Sequence, residues 1–255
     1  MLKEFSNTAS STPKLSVITP VKNERERIGK ALDSILGQTY RDLEHLIVDG
    51  GSTDGSLEQI EQYSERAPWE VKILRNVGGG VYAALNAGIH EANGKYIGLL
   101  HGSDSFSAPD VLEKAIEKLE SSFSDLLYGD LHYENSGGKR VRYYSGRRFR
   151  PELLRDGFMP PHPTVIAKKS LYEKVGDYDP SYPVAADFDW LTRAFLLFNA
   201  SSVYLPLDMV TMSTGGISGK WKSRLWVNNS DKYRSLRCHG QKINFLRLLK
   251  RYLYL

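Results

Sequence analysis

Short apolar segments alternate with amphipathic segments over roughly the first 120 residues of the chain. The first apolar segment, 15–21, is too uniformly apolar to keep one face in water, which predicts a strand buried on both faces. The next segment carries apolar residues at helical spacing, which predicts a helix between Asn23, a capping residue, and Gly37. Repeated alternation of this kind implies right-handed crossovers and a parallel sheet with helices on both faces.

The same patterns predict the remaining elements. In the first half, strands are predicted at 43–48, 71–74 and 96–100, and helices at 57–63, 81–89 and 111–119. In the second half, we predict hairpin strands at 125–134 and 139–145, a short helix near 151–156, a helix at 187–198 and a strand at 202–211. The chain is therefore expected to form one mixed α/β domain over 15–218, after a flexible leader (1–14) and before a helical tail (219–255).

The composition is typical of a soluble globular protein, with 41% hydrophobic and 25% charged residues. No stretch approaches the roughly 20 apolar residues that cross a bilayer, and the start of the chain lacks the apolar core of a signal peptide. Cys238 is the only cysteine, which excludes an internal disulfide and a cysteine-based zinc site. These features favour a cytoplasmic location.

The net charge of +4 is mild, but the basic residues are concentrated in two segments. The first, 139–150, contains no acidic residue and carries Lys139, Arg140, Arg142, Arg147, Arg148 and Arg150. The second runs from Lys220 onward. Such segments suit anionic partners such as phosphate groups, a lipid surface or nucleic acid, although a solvated face explains the first segment equally well.

Polar or small residues follow three of the predicted strands at the point where each ends. They are Thr19 and Pro20, then Asp49, and then the segment 101–104. Because the carboxyl ends of parallel strands meet at one edge, we expect Asp49 and Asp104 to face a shared crevice, where open α/β sheets bind ligands. A ligand could approach the backbone closely at glycines 50, 51, 78, 79, 80 and 102.

Two common phosphate-binding motifs are absent. Neither Gly-x-Gly-x-x-Gly after the first strand nor a P-loop occurs, which argues against a dinucleotide cofactor and a Walker-type NTPase. The segment 49–56 has a simpler interpretation as a polar turn that caps the next helix through Asp54 or Ser56. Asp49 lies too early in the turn for that role, which favours a ligand contact for its carboxylate.

Six motifs occur in order along the chain. They are LSVITPVKNE at 15–24, VDGGSTDGS at 48–56, GVYAALNAGI at 80–89, GKYI at 94–97, PHPT at 161–164 and VGDYD at 175–179. Together they resemble the motifs of family 2 glycosyltransferases of the GT-A fold, from about Leu15 to Ser218. The resemblance implies an α/β fold with a mostly parallel central sheet flanked by helices. It also implies a nucleotide-binding half, 15–120, and an acceptor half, 121–218.

The resemblance further implies an inverting transfer of a sugar from a nucleoside diphosphate sugar, expected to be a UDP-sugar, to an acceptor hydroxyl. By this analogy the donor-binding residues are Thr19, Pro20, Glu24, Asp49, Gly79, Gly80, Asn86, His101, Ser103 and Asp104. Asp49 would meet the base, since a uracil-like ring offers an N–H to a carboxylate. The glycines would leave room for the ribose and phosphates.

The metal motif of the family, Asp-x-Asp, falls on residues 101–103, and both of its aspartates are absent. Asp104, directly after, is the sole carboxylate. A Mn²⁺ or Mg²⁺ ion held by Asp104 and the donor diphosphate is reasonable, because these ions keep several water and substrate oxygens. His101 could supply a second ligand to manganese. The alternative is a metal-free site in which Lys or Arg side chains stabilise the leaving diphosphate.

Inversion in one displacement needs a base that takes the acceptor's proton. Asp187 matches the catalytic aspartate of the family, and a position at the start of an apolar helix favours the charged carboxylate. The alternatives are that Asp187 only caps this helix, or that Asp189 is the base. Asp130 is expected to contact the acceptor or donor sugar, unless it is a turn residue.

Two further contacts to the diphosphate are expected from the resemblance. His162, between two prolines, would touch the diphosphate or the metal, although a structural role is equally plausible. The segment 214–220 resembles the flexible loop that closes over the donor in this family, and its glycines supply the mobility that a lid requires. Lys220 would meet the diphosphate there.

The tail carries one apolar helical stripe with basic residues between its members, formed by Ile243, Leu246, Leu249 and Leu253. This pattern predicts a helix that docks on an anionic membrane surface, although packing on the domain or on a second subunit explains it equally well. The resemblance to family 2 glycosyltransferases implies an enzyme that acts on a saccharide or lipid-linked acceptor in cell-surface polysaccharide synthesis. With the tail as its membrane contact, the enzyme is expected to be peripheral on the inner face of the membrane.

Other functions compete with this expectation. The absent motif aspartates favour a catalytically degenerate protein that binds sugar nucleotides without turning them over. A nucleotidyltransferase is weaker, because its Gly-rich basic loop is missing after the first strand. No recognisable nucleic-acid-binding module occurs, so nucleic acid is not expected as a partner.

Overall fold

The computed structural model describes residues 12–214, 221–241, 243 and 248. In chain order the strands are β1 (Leu15–Val21), β2 (Leu43–Asp49), β3 (Val71–Leu74), β4 (Tyr96–Leu99), β5 (Asp104–Phe106), β6 (Leu126–Glu134), β7 (Arg140–Tyr144), β8 (Ile166–Lys168) and β9 (Ser202–Ser213). The helices are α1 (Arg25–Leu36), α2 (Ser56–Arg66), α3 (Val81–Glu91), α4 (Val111–Ser122), α5 (Lys169–Val175), α6 (Ala186–Thr192) and α7 (Trp221–Cys238).

These strands form one mixed sheet in the order β3-β2-β1-β4-β8-β6-β9-β5, and β7 pairs with β6 outside this path. The first four strands are parallel, which confirms the prediction from the strand–helix alternation. The short strand β8 is antiparallel to both β4 and β6 and joins the two halves of the sheet. As a result, the loops after β1, β2 and β4 open at one edge, and segments of the second half lie beside it.

The core explains why the early elements could be predicted. All seven residues of β1 are buried, as expected for a strand covered on both faces. The apolar stripe of α1 is buried as well, and the helix ends at Gly37. The prediction that Asn23 caps this helix is wrong. Asn23 has a φ of +53°, and its side-chain Oδ1 accepts a hydrogen bond from the Thr53 backbone N–H, so it ties two loops together.

Several elements differ from the sequence prediction. The three-residue strands β5 and β8 and the seven-residue helix α5 were not predicted, because such short elements show no periodicity. The helix predicted over 187–198 begins as α6 and continues as a π-helix at Arg193–Leu197. The short helix at Pro151–Asp156 is a 3₁₀ helix. The apolar stripe of the tail lies mostly outside the described residues, as does most of the leader.

Within the described residues, no helix is both long enough and apolar enough to span a bilayer.

Candidate active site

Two adjoining cavities open where the strand ends meet the second half of the chain, and Val81 and His101 line both. The larger, about 680 Å³, we call the glycine cleft; it is lined by Pro20, Val21, Lys22, Glu24, Gly50, Val77, Gly78, Gly79, Gly80, Val81, Ala84, His101, Gly102 and Ser103. The smaller, about 470 Å³, we call the aromatic cavity; it is lined by Val81, Tyr82, Leu85, Leu99, His101, His162, Val165, Tyr178, Asp187, Trp190 and Leu191.

Backbone forms much of the wall of the glycine cleft. Gly80 precedes α3 with φ 87° and ψ −174°, a conformation that is almost exclusive to glycine. Gly79 has a φ of +91°, and a Cβ there would lie 2.9 Å from the Cβ of Ala83. The N-terminal N–H groups of α3 begin at this loop, and such groups favour a negatively charged ligand. The cleft therefore suits phosphate oxygens.

The structure brings most of the predicted donor-binding residues to this cleft. Those that line it are Pro20, Glu24, Gly79, Gly80, His101 and Ser103. Glu24 is paired with Arg27, whose Nε donates to Glu24 Oε2 at 2.7 Å. Lys22 also lines the cleft, and the sequence analysis missed it, although it directly follows β1.

Two predicted donor-binding residues point elsewhere. The hydroxyl of Thr19 lies 2.9 Å from His45 Nε2 in the buried core, and His45 Nδ1 lies 2.9 Å from the Tyr63 hydroxyl. Asn86 binds the Tyr178 backbone twice, donating to its carbonyl oxygen at 2.8 Å and accepting from its N–H at 2.9 Å. Asn86 therefore connects α3 to the second half of the chain. The side chains of Thr19 and Asn86 line neither the glycine cleft nor the aromatic cavity.

Asp49 lies at the end of β2 and has no exposed surface. Its carboxylate accepts backbone hydrogen bonds from Gly51 at 2.9 Å and from Ser52 at 3.1 Å. The adjacent Gly50 lines the cleft, so Asp49 holds the loop that forms part of the wall. A direct contact from Asp49 to a base stays a prediction.

Asp104 begins the short strand β5 and is 3% exposed. The pKa of its carboxyl is raised to about 7, mainly by burial and to a smaller extent by Glu24, against the lowering effects of a hydrogen bond with Ser103 and of the Arg27 charge. The described residues include no group of three or more His, Cys, Asp or Glu side chains that could hold a metal ion. Asp104 lines neither of the two cavities, whereas the nearby Glu24 lines the glycine cleft. A divalent cation at this point would be held mainly by diphosphate oxygens and water.

The aromatic cavity has a polar side formed by Asp187 and two histidines. Asp187 is the second residue of α6, and its Oδ1 accepts a hydrogen bond from the Phe188 N–H at 2.8 Å. Its Oδ2 lies 3.1 Å from His162 Nδ1. The cap position is held by Ala185, so the alternative in which Asp187 merely caps the helix is wrong. The carboxylate nevertheless lies on the cavity wall, where a ligand in the cavity would meet it.

The two histidines differ in their surroundings. His162 belongs to a 3₁₀ turn, His162–Thr164, in which the Thr164 hydroxyl donates to the Pro161 carbonyl oxygen at 2.7 Å. The ring of His101 lies edge-on to that of His162, with their centroids 6.4 Å apart. Burial, assisted by His162, lowers the pKa of His101 to about 4, although Asp187 opposes the shift. His101 is therefore neutral at pH 7.

Asp189, the second candidate for the base, is 2% exposed and faces away from both cavities. It binds Ser235 Oγ at 2.7 Å, His239 Nε2 at 2.9 Å and Arg193 Nε at 2.9 Å. These partners lower the pKa of Asp189 against the effect of burial. Asp189 joins α6 to α7 and is not placed to act as a base.

Asp130, expected at the acceptor or donor sugar, is an interior residue of β6 and is 5% exposed. It accepts four hydrogen bonds, from Tyr143 OH at 2.6 Å, Ser145 Oγ at 2.8 Å, Gly146 N–H at 2.7 Å and Tyr204 OH at 2.8 Å. These donors engage both carboxylate oxygens, and a contact from Asp130 to a sugar stays a prediction. Asp130 holds the end of β7 against the sheet.

The aromatic rings of the smaller cavity were not predicted as site residues. Tyr82 is fixed by a hydrogen bond of 2.5 Å from its hydroxyl to the Val184 carbonyl oxygen, and Trp190 donates from Nε1 to the Gly176 carbonyl oxygen at 3.0 Å. They lie far apart in the sequence, and each ring has its centroid 5.9 Å from that of Tyr178, another residue of the cavity wall. Lys220 and the rest of the predicted lid at 215–220 lie outside the described residues.

Comparisons with known proteins agree with this architecture. Residues 16–183 match the family described as Glycosyl transferase family 2. An uncharacterised glycosyltransferase of Mycobacterium tuberculosis is 33% identical over 193 residues, which cover 74% of this chain and 71% of the relative. A PGL/p-HBAD biosynthesis glycosyltransferase of Mycobacterium bovis is 31% identical over 72% of this chain and 71% of the relative.

Solved structures show the same fold at lower identity. S. aureus TarS 1-349 in complex with UDP-GlcNAc has a TM-score of 0.70 and 21% identity over 88% of this chain and 65% of that chain. The mannosyltransferase PcManGT from Pyrobaculum calidifontis, in complex with GDP-Man and Mn²⁺, has a TM-score of 0.67 and 19% identity over 92% of this chain and 66% of that chain. The match to a longer TarS structure spans 38% of its length.

Proposed function

Because the chain belongs to glycosyl transferase family 2, and is thus a nucleotide-sugar-dependent glycosyltransferase, we propose the finer details of its reaction. The enzyme transfers a sugar with inversion from a UDP-sugar to an acceptor hydroxyl. The acceptor is a lipid-linked saccharide in the synthesis of a cell-surface polysaccharide. The UDP assignment follows the UDP and UDP-GlcNAc complexes of TarS, whereas PcManGT carries GDP-Man on the same fold.

The observation that carries this proposal is the position of Asp187 on the wall of the aromatic cavity, next to the glycine cleft. The donor's diphosphate would lie in the glycine cleft against the start of α3. Its sugar would extend past Val81 and His101, the residues common to both cavities. The anomeric carbon would then face Asp187.

In the proposed reaction Asp187 takes the proton of the acceptor hydroxyl as that oxygen bonds to the anomeric carbon. The bond from this carbon to the diphosphate oxygen breaks at the same time, and the nucleoside diphosphate leaves. The contact with His162 keeps the Asp187 carboxylate turned toward the cavity. The apolar rings around it limit access of water, which would otherwise compete as the acceptor.

A divalent cation is part of the proposal. Mn²⁺ or Mg²⁺ would be held by Asp104 and by the donor's own phosphate oxygens. When bound, such an ion neutralises charge on the leaving diphosphate. Lys22, which lines the glycine cleft, would assist there.

The test is calorimetric titration of the protein with UDP, GDP, CDP and dTDP, each with manganese and with EDTA. We expect UDP to bind and EDTA to weaken its binding. Tight binding of another nucleotide alone would overturn the UDP assignment, and binding indifferent to EDTA would favour the metal-free alternative. Nucleotide binding without sugar transfer to any acceptor would favour the degenerate sugar-nucleotide-binding protein.

Membrane contact through the tail remains a prediction of the sequence. Deleting the chain after Gly240 is expected to release the protein from membrane fractions. An unchanged distribution would favour packing of the tail on the domain or on a second subunit.

A further inference from the structure

The hairpin of β6 and β7 and the loop that follows it carry positive charge that their neighbours do not neutralise. Five exposed side chains contribute, and we call them the basic edge: Lys139, Arg142, Arg147, Arg148 and Arg150. Among the described residues, none of the five has a carboxylate within the 4.0 Å of an ion pair. Their neighbour Arg140 differs, because it binds Asp208 at 2.6 Å.

The geometry places these cations along an open strand. Among the described strands β7 pairs only with β6, so its other side is an edge of the sheet. Arg142 lies over the ring of Tyr133, with its guanidinium 5.8 Å from the ring centre. Val141 and Tyr143 are 52% and 47% exposed. Apolar and aromatic surface therefore alternates with unpaired positive charge.

The basic edge is firmly attached to the wall of the aromatic cavity. Tyr143 and Ser145 donate to Asp130, and the Arg147 N–H donates to Ser145 Oγ at 3.2 Å. Next to Asp130 in β6, Gly129 donates to Thr164 Oγ1 at 2.9 Å. Thr164 belongs to the same 3₁₀ turn as His162. A surface that binds the basic edge would thus lie close to the cavity.

We infer that the basic edge docks the protein on a bilayer that contains anionic phospholipids. Basic side chains near such a surface each add attraction, and exposed tyrosine and valine side chains can enter the headgroup region. Protection of an edge strand against aggregation would explain cations on β7, but not the three arginines beyond it. Cations spread over both a strand and the loop after it suit a broad surface better than a strand of nucleic acid. The inference concerns binding alone and does not rest on the proposed reaction.

The experiment measures co-sedimentation of the full chain with vesicles of phosphatidylglycerol and phosphatidylcholine, and with vesicles of phosphatidylcholine alone. In the triple variant Arg142→Gln, Arg147→Gln, Arg148→Gln, we expect the partition coefficient for anionic vesicles to fall by about tenfold or more. The control variant Lys114→Gln, Lys118→Gln, Lys174→Gln removes the same charge from exposed positions on α4 and α5 and should retain binding. Added salt should weaken wild-type binding.

A second variant, Lys139→Gln with Arg150→Gln, leaves the contact between Arg142 and Tyr133 intact and should also weaken binding. This variant keeps the test valid if the triple variant folds poorly. Unchanged vesicle binding by both variants would overturn the inference and assign membrane contact to the tail. An equal loss of vesicle binding in the control variant would show a general effect of charge and would also overturn the inference. Binding of the protein to short RNA or DNA without binding to vesicles would overturn it as well.

Discussion

The glycine cleft and the aromatic cavity adjoin, but they are built in different ways. The cleft is walled largely by backbone and small residues that follow consecutive strands and open α3. The aromatic cavity is walled by side chains that come from α3, β4, the turn at His162 and α6. The cleft therefore offers a shape and N–H groups suited to phosphate, whereas the cavity offers apolar rings and one carboxylate suited to chemistry on a sugar.

This contrast indicates which kind of substitution should impair each of the two cavities. In the glycine cleft a change of backbone conformation should matter most, because five of its fourteen lining residues are glycines. In the aromatic cavity single side chains are expected to perform the chemistry. The residues that hold these side chains in place come from distant parts of the chain. The predictions below test that division.

The largest effect is expected in the aromatic cavity. Asp187→Asn should lower turnover by about 10³-fold, because the variant lacks the base, while the affinity for UDP stays unchanged. Steady-state transfer rates and calorimetry measure the two quantities. Asp177→Asn, an exposed carboxylate of the preceding segment, is the control and should keep its activity. Retained turnover in Asp187→Asn would remove this residue as the base.

Removal of the Asp130 carboxylate tests whether that residue supports the cavity wall or binds substrate. Asp130→Ala should lower the free energy of unfolding by about 3 kcal/mol, since four donors lose their acceptor. Denaturant unfolding measures this loss. A stable variant with weakened acceptor binding would restore the sugar contact expected from the sequence.

Two glycine substitutions separate backbone strain from steric contact in the cleft. A Cβ at Gly78 or at Gly80 would meet no atom within 4 Å, but only Gly80 has a positive φ. Gly80→Ala should lower the free energy of unfolding by about 1–3 kcal/mol and weaken donor binding, while Gly78→Ala leaves stability nearly unchanged. Equal stability of the two variants would show that the loop does not need this backbone conformation.

The last prediction concerns the pH dependence of stability and the buried histidine of β2. Burial lowers the pKa of His45 to about 3, whereas an unfolded histidine titrates near pH 6.5. Between these values the unfolded chain binds one proton more, so stability falls as the pH decreases, by about 1.4 kcal/mol per pH unit. His45→Gln should flatten the dependence of unfolding free energy on pH between about 6 and 4. An unchanged slope would contradict the buried neutral imidazole.

Much of the fold could be predicted because its early elements are long and periodic. The seven-residue strand β1 occupies the predicted residues, and the parallel order of the first four strands agrees with the alternation of strands and helices. Six predicted residues of the donor site line the glycine cleft. They lie at or after the ends of strands, and the ends of parallel strands meet at one edge of the sheet. Thr19 and Asn86 belong to the same motifs, yet their side chains point into other contacts.

The sequence by itself determined the α/β class, the edge at which the site lies and the motifs that identify the family, because hydrophobic periodicity and strand ends are local properties. Only the tertiary structure decided which carboxylates face a cavity. The sequence offers Asp187 as the base, Asp189 as its alternative and Asp130 as a sugar contact. In the structure Asp189 and Asp130 are each surrounded by hydrogen-bond donors from distant segments. The role of a carboxylate depends on which hydrogen-bond donors surround it. Those donors come from distant segments, so they are determined only when the two halves of the chain pack together.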